Sequence, residues 1–277
     1  MNIHRSKITV IVPAGNRSDV VEDCLKSVRW ADELLVVDSF SADGTFEIAE
    51  RYADRVLRNE YGFSAKQKNW AIPQASHEWV LLVDTDERVT ENLKNEIFSV
   101  LQSESAFAGY RIPRVNYLFG SKVSHAGYYP DYQVRLFKRD ADRYQLRRVH
   151  AHVILDGECG TLQSPLVHYA HRDLDQTLRN LLIQMTTWEA EERMQGMRKP
   201  LPLWFNILFR PIGAFGLRYF AQAGWKDGYR GLAVSVIWAM YVAITYLKIW
   251  ESGLKLDKAW WQGHWSDPQV QQDGKQP

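Results

Sequence analysis

Cysteine, excess charge and repeated sequence are all scarce in this chain. Its two cysteines, Cys24 and Cys159, are too few for a disulfide framework, so we expect free, inert thiols in a reducing compartment. The 34 basic and 33 acidic residues leave a net charge of +1, which argues against nucleic acid as a partner. The first apolar run is too short for a secretory signal. At 277 residues and 45% hydrophobic, the chain is typical of a globular protein with a substantial core.

The first hundred residues alternate between strand and helix patterns. The strand-like runs are short, apolar and rich in β-branched residues, which is typical of a parallel sheet buried on both faces. Ligands of such sheets bind beyond the carboxyl ends of the strands, so the residues after Val12, Val37 and Val83 are the candidates for function. Strands are predicted at residues 8–13, 34–38 and 79–84, and helices at residues 19–28, 44–53 (with Asp43 as N-cap), 63–75 and 90–101.

Shorter β-type runs follow at residues 108–113, 132–137 and 150–155. We interpret them as a mixed extension of the parallel sheet, which makes the fold class α/β. Asp173 precedes a helical pattern over residues 174–195 and is its expected N-cap.

Carboxylates stand at the ends of two predicted strands. Asp38 ends one strand, and Asp84 and Asp86 follow another in an Asp-Thr-Asp sequence. Carboxylate oxygens are the ligands that Mg²⁺ or Mn²⁺ takes when it bridges a diphosphate. The alternative is a surface turn with solvated acids. The position at a buried strand end favours a functional site.

A series of sequence blocks runs in fixed order along the chain. The blocks are VIVPAGN (10–16), CLKSV (24–28), WADELLVVDSFSADGT (30–45), QKN (67–69), WVLLVDTDER (79–88) and YPDYQVRLF (129–137). In order and spacing they resemble the family 2 glycosyltransferases, and most closely the branch that contains the bacterial lipopolysaccharide-core β-glucosyltransferases. The likeness covers most of residues 7–250. It implies a GT-A fold, which is a Rossmann-like mixed sheet that binds a nucleotide sugar.

The resemblance places a donor site after the first two strands. It implies that Pro13, Ala14 and Asn16 hold the nucleotide, and that Asp38 accepts hydrogen bonds from the uracil or ribose. The family usually has glutamate where this chain has Arg17. Arg17 would either pair with a phosphate or point outward.

The resemblance also implies a metal and diphosphate site. Asp84 and Asp86 would form the site of the Mg²⁺ or Mn²⁺, with Asp84 near the ribose and Asp86 as the direct metal ligand. Lys66, Gln67 and Lys68 lie on one stretch that would face the diphosphate. For these lysines the alternative is a solvated helix face.

An inverting transferase needs a general base that takes the proton from the acceptor hydroxyl. In the resembling family an aspartate precedes a strand and an arginine follows a few residues later. Asp131 and Arg135 fit this pattern, so Asp131 is the candidate base. The alternative is a structural carboxylate at the strand entry, paired with Arg135. Single displacement at an α-linked donor would give a β-glycoside.

Four histidines follow one another in the second half of the chain, at positions 150, 152, 168 and 171. His150 and His152 would share a strand face. Their spacings match no standard zinc pattern, which favours acceptor-site or structural roles over a zinc site. The family branch often has a glutamate after this Val-His pair, whereas here Ala151 follows, so a catalytic role of the segment is in doubt.

The last third of the chain is aromatic, apolar and basic. Residues 203–223 form an aromatic-rich segment that Pro211 is expected to break or kink, and residues 231–247 carry no charge. The second segment is a core helix, a marginal membrane span or part of an interfacial pair of helices. We favour the interfacial pair, because residues 203–250 contain five basic residues and one acidic residue, which suits an anionic membrane surface.

The sequence therefore predicts an inverting glycosyltransferase at the cytoplasmic face of the inner membrane. Its partners would be a nucleotide-sugar donor, expected to be UDP-linked, and a glycan or glycolipid acceptor in the assembly of cell-surface polysaccharide. The alternatives are a nucleotidyltransferase, for which the loop after the first strand has too few glycines, and an inactive scaffold. The predicted division is a catalytic domain (1–172), a helical membrane-associating region (173–252) and a polar tail (253–277).

Overall fold

The structure is a computed structural model that describes residues 5–103, 106–196 and 202–254. The strands are β1 (Ile8–Ala14), β2 (Glu33–Asp38), β3 (Arg55–Arg58), β4 (Trp79–Leu82), β5 (Glu87–Val89), β6 (Gly109–Leu118), β7 (Ser121–Val123), β8 (Asp131–Lys138), β9 (Asp142–Tyr144), β10 (Val153–Leu155), β11 (Cys159–Thr161) and β12 (Leu166–His171). The helices are α1 (Val21–Val28), α2 (Thr45–Tyr52), α3 (Ser64–Ala71), α4 (Glu91–Gln102), α5 (Leu174–Thr177), α6 (Thr186–Gly196), α7 (Leu203–Gly216) and α8 (Gly228–Gly253).

One mixed sheet forms the centre of the molecule. Within the described residues it has ten strands, and the main path runs β3-β2-β1-β4-β8-β6-β12-β5, with β7 and β11 paired to β6. The first four strands of this path are parallel, and β8 is antiparallel to both β4 and β6. The predicted α/β fold with a mixed extension is therefore confirmed.

The sheet is buried on both faces because its central strands are apolar throughout. Alternate side chains of β1 enter different clusters: Val10 and Val12 pack with α1 and α4, whereas Ile11 packs with α3. The carboxyl ends of β1, β2 and β4 consequently meet at one edge, which is where the candidate site lies.

Several local predictions need correction. The strand predicted at 150–155 begins at Val153, because His150 has a left-handed backbone (φ 50°) that ends the extended conformation. The N-cap of α2 is Gly44 rather than Asp43, whose carboxylate instead accepts a hydrogen bond from the Thr45 amide. Pro211 lies inside α7 without breaking it, since the helix continues to Gly216.

Other elements were not predicted or differ in their form. β3 and β5 contain charged residues and have four residues or fewer, so they lack an apolar signal. The helix predicted over 174–195 is present, with Asp173 as its N-cap, but residues Leu178–Met185 form π-helical turns between α5 and α6.

The C-terminal helices pack against the edge of the sheet where β6 and β7 meet. Val234 of α8 enters a buried cluster with Leu118 and Val123. The Asp227 carboxylate accepts hydrogen bonds from the Ser124 and His125 amides, at 3.1 and 2.7 Å. The predicted boundary after residue 172 falls between β12 and α5. It stays a prediction, and the two regions share this packed interface.

The helix α8 is longer than predicted and has one buried face. A segment that contains it, Gly224–Gly253, is long and apolar enough to cross a membrane, and 33% of its most apolar window is buried. The buried positions include Val234, Ile237 and Tyr241, while Met240 and Trp250 are exposed. The predicted polar tail lies outside the described residues from position 255 onward.

Candidate functional site

A pocket of about 420 Å³ opens at the carboxyl ends of β1, β2 and β4. This is the edge at which the sequence predicted function. Its lining residues are Pro13, Ala14, Gly15, Asn16, Arg17, Ser39, Tyr61, Ser64, Gln67, Asp84, Thr85, Asp86 and His168. The structure thus brings together seven of the predicted donor and metal residues, and adds Gly15, Ser39, Tyr61, Ser64, Thr85 and His168.

The loop after β1 is fastened to the loop after β2. Asn16 has a left-handed backbone (φ 49°), a conformation that asparagine tolerates better than most residues. Its amide donates to Ser41 Oγ, and its side-chain oxygen accepts from the Ala42 amide, both at 2.9 Å. The adjacent Arg17 amide donates to Thr45 Oγ1. These bonds give the pocket a fixed wall.

Asp38 supports this wall from beneath. Its side chain is fully buried, and its two oxygens accept from the amide and hydroxyl of Ser41, at 3.0 and 2.5 Å. It is not among the residues that line the pocket. A direct bond from Asp38 to a nucleoside, as the resemblance implied, stays a prediction.

The three residues of α3 that were predicted to face the diphosphate, Lys66, Gln67 and Lys68, point in different directions. Successive helical residues are separated by about 100°, so three in a row do not share one face. Gln67 is buried and donates to Ser39 Oγ at 2.6 Å. Lys68 is buried and contacts Asp84, whereas Lys66 is exposed. For Lys66 the alternative of a solvated position fits the structure.

Asp84 lies between two cations at the end of β4. Its carboxylate is 2.9 Å from Lys68 Nζ and 2.6 Å from Arg135 Nη2. Burial raises the pKa of the Asp84 carboxyl, but the charges of Arg135 and Lys68 outweigh this and hold the pKa well below its usual range. Asp84 is therefore ionised at neutral pH.

Asp86 faces a cation and a histidine across the pocket. Arg17 Nη2 is 3.7 Å from Asp86 Oδ2, and His168 Nε2 is 3.8 Å from Asp86 Oδ1. Arg17 therefore points into the pocket, which decides between its two predicted orientations. Among the described residues, its Nε is buried and has no hydrogen-bond partner.

His168 presents an unprotonated ring nitrogen to Asp86. The Asn116 side chain donates through Nδ2 to the Tyr128 carbonyl, which leaves its oxygen to accept from His168 Nδ1 at 2.6 Å. The lone pair of His168 therefore lies on Nε2. Burial, together with the charge of Arg114, lowers the pKa of this histidine and keeps it neutral.

The donor set at Asp86 and His168 suits a divalent cation. Mg²⁺ is commonly held by one or two carboxylates together with substrate phosphates and water, and carboxylates also suit Mn²⁺. The 3.8 Å separation of Asp86 Oδ1 and His168 Nε2 permits both to bind one ion. No preformed group of three or more His, Cys, Asp or Glu ligands occurs in the described part of the chain. The diphosphate of a donor would supply the remaining oxygens.

Asp131 begins β8 within a cluster of hydrogen-bond donors. Arg114 Nε and Nη2 both donate to its Oδ2, at 2.9 and 2.6 Å, and Asn116 Nδ2 adds a third bond at 3.3 Å. Gln133 Nε2 donates to Oδ1 at 2.8 Å. Burial raises the pKa of Asp131, but Arg114 and these hydrogen bonds lower it overall. Asp131 is therefore held as a carboxylate.

The arginine that pairs with Asp131 in the structure is not the one that the alternative interpretation predicted. Arg135 contacts Asp84 and Glu87, and Arg114 is the arginine that pairs with Asp131. The pairing of Asp131 with Arg135 is therefore wrong. Arg114 and Asn116 were missed, although their period-two spacing on one strand was a usable signal of a polar face.

The four histidines do not share one environment. His150 Nε2 is 3.9 Å from Glu189, while His171 Nε2 is 3.3 Å from the Tyr128 hydroxyl. Burial, with a smaller contribution from His168, lowers the pKa of His171 to about 4. The shared strand face predicted for His150 and His152 is lost because both precede β10.

Comparisons with known proteins agree with this architecture. The lipopolysaccharide core biosynthesis glycosyltransferase LpsC of Rhizobium meliloti (strain 1021) is 26% identical over 256 residues, 90% of this chain and 94% of the relative. A poly(ribitol-phosphate) beta-N-acetylglucosaminyltransferase, TarS of Staphylococcus aureus (strain MW2), is 34% identical over 102 residues, 32% of this chain and 18% of that protein.

A solved structure matches over most of the chain. The mannosyltransferase PcManGT from Pyrobaculum calidifontis, in complex with GDP-Man and Mn²⁺, has a TM-score of 0.53 and 15% identity, covering 90% of this chain and 88% of that chain. The expected GT-A fold is confirmed. The model of the family "Glycosyl transferase family 2" matches residues 9–166, more than half of the sequence. The chain is a glycosyltransferase and belongs to glycosyl transferase family 2.

Proposed function

We propose that this enzyme transfers a sugar, with inversion, from a nucleoside-diphosphate sugar to a hydroxyl of a glycan or glycolipid acceptor. The observation that carries the proposal is the pocket at the strand ends, which joins Asp84 and Asp86 to the loop after β1. An arginine, two carboxylates and a neutral histidine converge there. This combination suits a diphosphate with its metal ion.

The donor would lie along the pocket wall. Asn16 and its neighbours would hold the nucleoside, for which UDP is the expected diphosphate. The guanidinium group of Arg17, which lines the pocket, would bind a phosphate oxygen. Asp86 and His168 would hold Mg²⁺ or Mn²⁺, which offsets the negative charge of the leaving diphosphate. Asp84 would stay paired with Lys68 and Arg135, and would orient the donor beside the metal.

Asp131 would act as the base. The acceptor oxygen attacks the anomeric carbon, its proton passes to Asp131, and the bond to the diphosphate breaks with its electron pair. Arg114 uses only Oδ2 of this carboxylate, so Oδ1, which has a single donor in Gln133, is the oxygen available to the acceptor. Displacement at an α-linked donor would give a β-glycoside.

The acceptor proposal draws on the relatives. LpsC is named for lipopolysaccharide core biosynthesis and aligns along 90% of this chain. We infer a role in the assembly of lipopolysaccharide or a related surface polysaccharide, at the cytoplasmic face of the inner membrane.

The exposed face of α7 supports membrane association. Trp204, Leu208 and Ile212 recur every four residues, and each side chain is more than half exposed. Such a stripe, beside basic residues, suits a helix lying in an anionic membrane surface. This arrangement would bring a lipid-anchored acceptor to the site.

A donor panel tests the proposal. The purified chain is mixed with UDP-glucose, UDP-galactose, UDP-N-acetylglucosamine or GDP-mannose, with core oligosaccharide as acceptor, and release of nucleoside diphosphate is measured with and without Mn²⁺. We expect metal-dependent release from one UDP-sugar, and its loss in Asp86→Asn. No release from any donor, or equal release by Asp86→Asn, would refute the proposal and favour an inactive scaffold.

A further inference from the structure

A buried glutamate joins the two halves of the candidate site. Glu87 begins β5, directly after the Asp84–Asp86 turn, and its side chain is completely buried. Its Oε2 accepts from the Asp84 amide at 2.9 Å, while the Glu87 amide donates to the Asp84 carbonyl at 2.9 Å. Glu87 therefore fixes the turn that presents the carboxylates to the donor.

The other carboxylate oxygen of Glu87 binds two arginines. Arg135 Nη2 donates to Oε1 at 2.6 Å, and Arg114 Nη1 donates to the same oxygen at 3.2 Å. Arg135 also reaches Asp84, and Arg114 also reaches Asp131. The result is a continuous chain of alternating charges from the donor turn to the candidate base.

The charge of Glu87 has a consequence at both ends of this chain. A carboxylate without solvent exposure is stable only when it is paired, and here the two guanidinium groups pair it. In return, Glu87 fixes the rotamer of Arg114 and offsets part of its positive charge. Arg114 can then hold Asp131 in place, while part of its positive charge is balanced by Glu87 and does not act on the base.

We propose that Glu87 is a positioning residue for sugar transfer, which aligns the base with the donor by holding Arg114 and Arg135 on one oxygen. This inference rests on the proposed function, in which Asp131 removes the acceptor proton. It assigns to Glu87 a role in turnover that acts through Arg114, since Glu87 has no exposed atom that could touch a substrate.

Glutamine at position 87 separates this role from simple folding. In Glu87→Gln, the amide oxygen can still accept from the Asp84 amide, but the amide NH₂ then faces two arginine donors. The bonds to Arg114 and Arg135 are lost, while the bond to the Asp84 amide in the donor turn is kept. Glu33→Gln is the matched control, because Glu33 is also buried and paired with an arginine, Arg55, at the opposite end of the sheet.

The test compares turnover with donor binding. Release of nucleoside diphosphate from the best donor of the panel gives kcat, and titration with UDP and Mn²⁺ gives donor-site affinity. We expect Glu87→Gln to lower kcat by about 100-fold with UDP affinity within about threefold of wild type. Glu33→Gln should keep both values. A Glu87→Gln enzyme with wild-type kcat would refute the proposal.

A double variant identifies the route of the effect. If Glu87 acts through Arg114, adding Glu87→Gln to Arg114→Gln should lower kcat by no more than about threefold further. Independent, multiplied losses would contradict the proposal. If Glu87→Gln does not fold, Arg114→Lys carries the test, since lysine can reach Asp131 or Glu87 but does not bridge them. Wild-type kcat in Arg114→Lys would then refute it.

The same assay distinguishes failure of the inference from failure of the proposed function. If Asp131→Asn transfers sugar at the wild-type rate, the base assignment is wrong and the inference fails with it. If Asp131→Asn is inactive while Glu87→Gln is fully active, the base assignment stands and only the role of Glu87 is wrong.

Discussion

Replacing the candidate base gives the sharpest prediction for the mechanism. Asp131→Asn keeps the shape of the side chain, and its amide oxygen can still accept from Arg114. The variant cannot take a proton from the acceptor. General-base catalysis contributes about 10²–10⁴-fold to such reactions, so we expect kcat to fall by that factor, or about 3–5 kcal/mol in activation free energy.

The structural cost of this substitution is smaller than its catalytic cost. The new NH₂ group replaces Oδ1 and faces Gln133 Nε2, so one hydrogen bond and one charge interaction are weakened. We expect a loss of about 1–2 kcal/mol in unfolding free energy, which lowers Tm by about 2–8 °C. At 25 °C the enzyme stays folded, so a loss of turnover there reports on chemistry.

The assay is release of nucleoside diphosphate at saturating donor and acceptor, together with a thermal unfolding curve. Asp140→Asn is the control, because Asp140 is an exposed carboxylate beyond the other end of β8, paired with Arg139. It should keep wild-type turnover. Turnover by Asp131→Asn within about fivefold of wild type would refute the reasoning, since no base contributes so little.

Four further predictions concern the metal, acid stability, the membrane and the product. Asp86→Asn should raise the Mn²⁺ concentration for half-maximal activity at least about tenfold, because an amide is a weaker ligand; an unchanged metal dependence would exclude this ligand. Hydrogen bonds from Thr9, Ser76 and Arg55 outweigh the effect of burial and lower the pKa of Glu33 to about 2. Because the folded pKa lies below the unfolded value, this stability is present above pH 4.5 and is lost as pH falls towards 2. Glu33→Gln should therefore cost about 2 kcal/mol at pH 7, allowing for solvent screening, and almost nothing at pH 2; equal losses at both values in urea unfolding would contradict the shift. The Leu208→Ser and Ile212→Ser double variant should bind anionic vesicles about 3 kcal/mol more weakly, or over 100-fold, in a flotation assay, whereas Ile154→Ser should bind like the wild type. Equal binding by the wild type and both variants would exclude α7 as the docking face. NMR of the product from an α-linked donor should show a β-glycoside, and a retained α-configuration would rule out single displacement.

Local sequence patterns predicted three of the four parallel strands and the edge that carries the site. The runs that became β1, β2 and β4 are apolar, so only a sheet covered on both faces buries them. Asp84 and Asp86 follow such a run directly, and that position alone indicated exposure at the ligand edge. The ordered blocks around them then identified the family.

Short strands and residues with a left-handed backbone could not be predicted from local patterns. β5 has three residues, two of them charged, and it forms because β12 pairs with it and Arg114 and Arg135 neutralise Glu87. Arg114 and Arg135 are 27 and 48 positions away from Glu87 in sequence. A periodicity confined to a window of ten residues carries no information about pairing at that distance.

The fold class, the family and the edge of the sheet that carries the site could be predicted from the sequence, because apolar periodicity and strand-end carboxylates are local properties. Which charges meet depends on the three-dimensional arrangement. It turned Lys66 outward and Lys68 inward, directed Arg17 at Asp86, and gave Asp131 the partner Arg114 in place of Arg135. Ion pairs depend on where strands from distant parts of the chain lie side by side. That arrangement is set by packing of the whole core, and no single segment contains it.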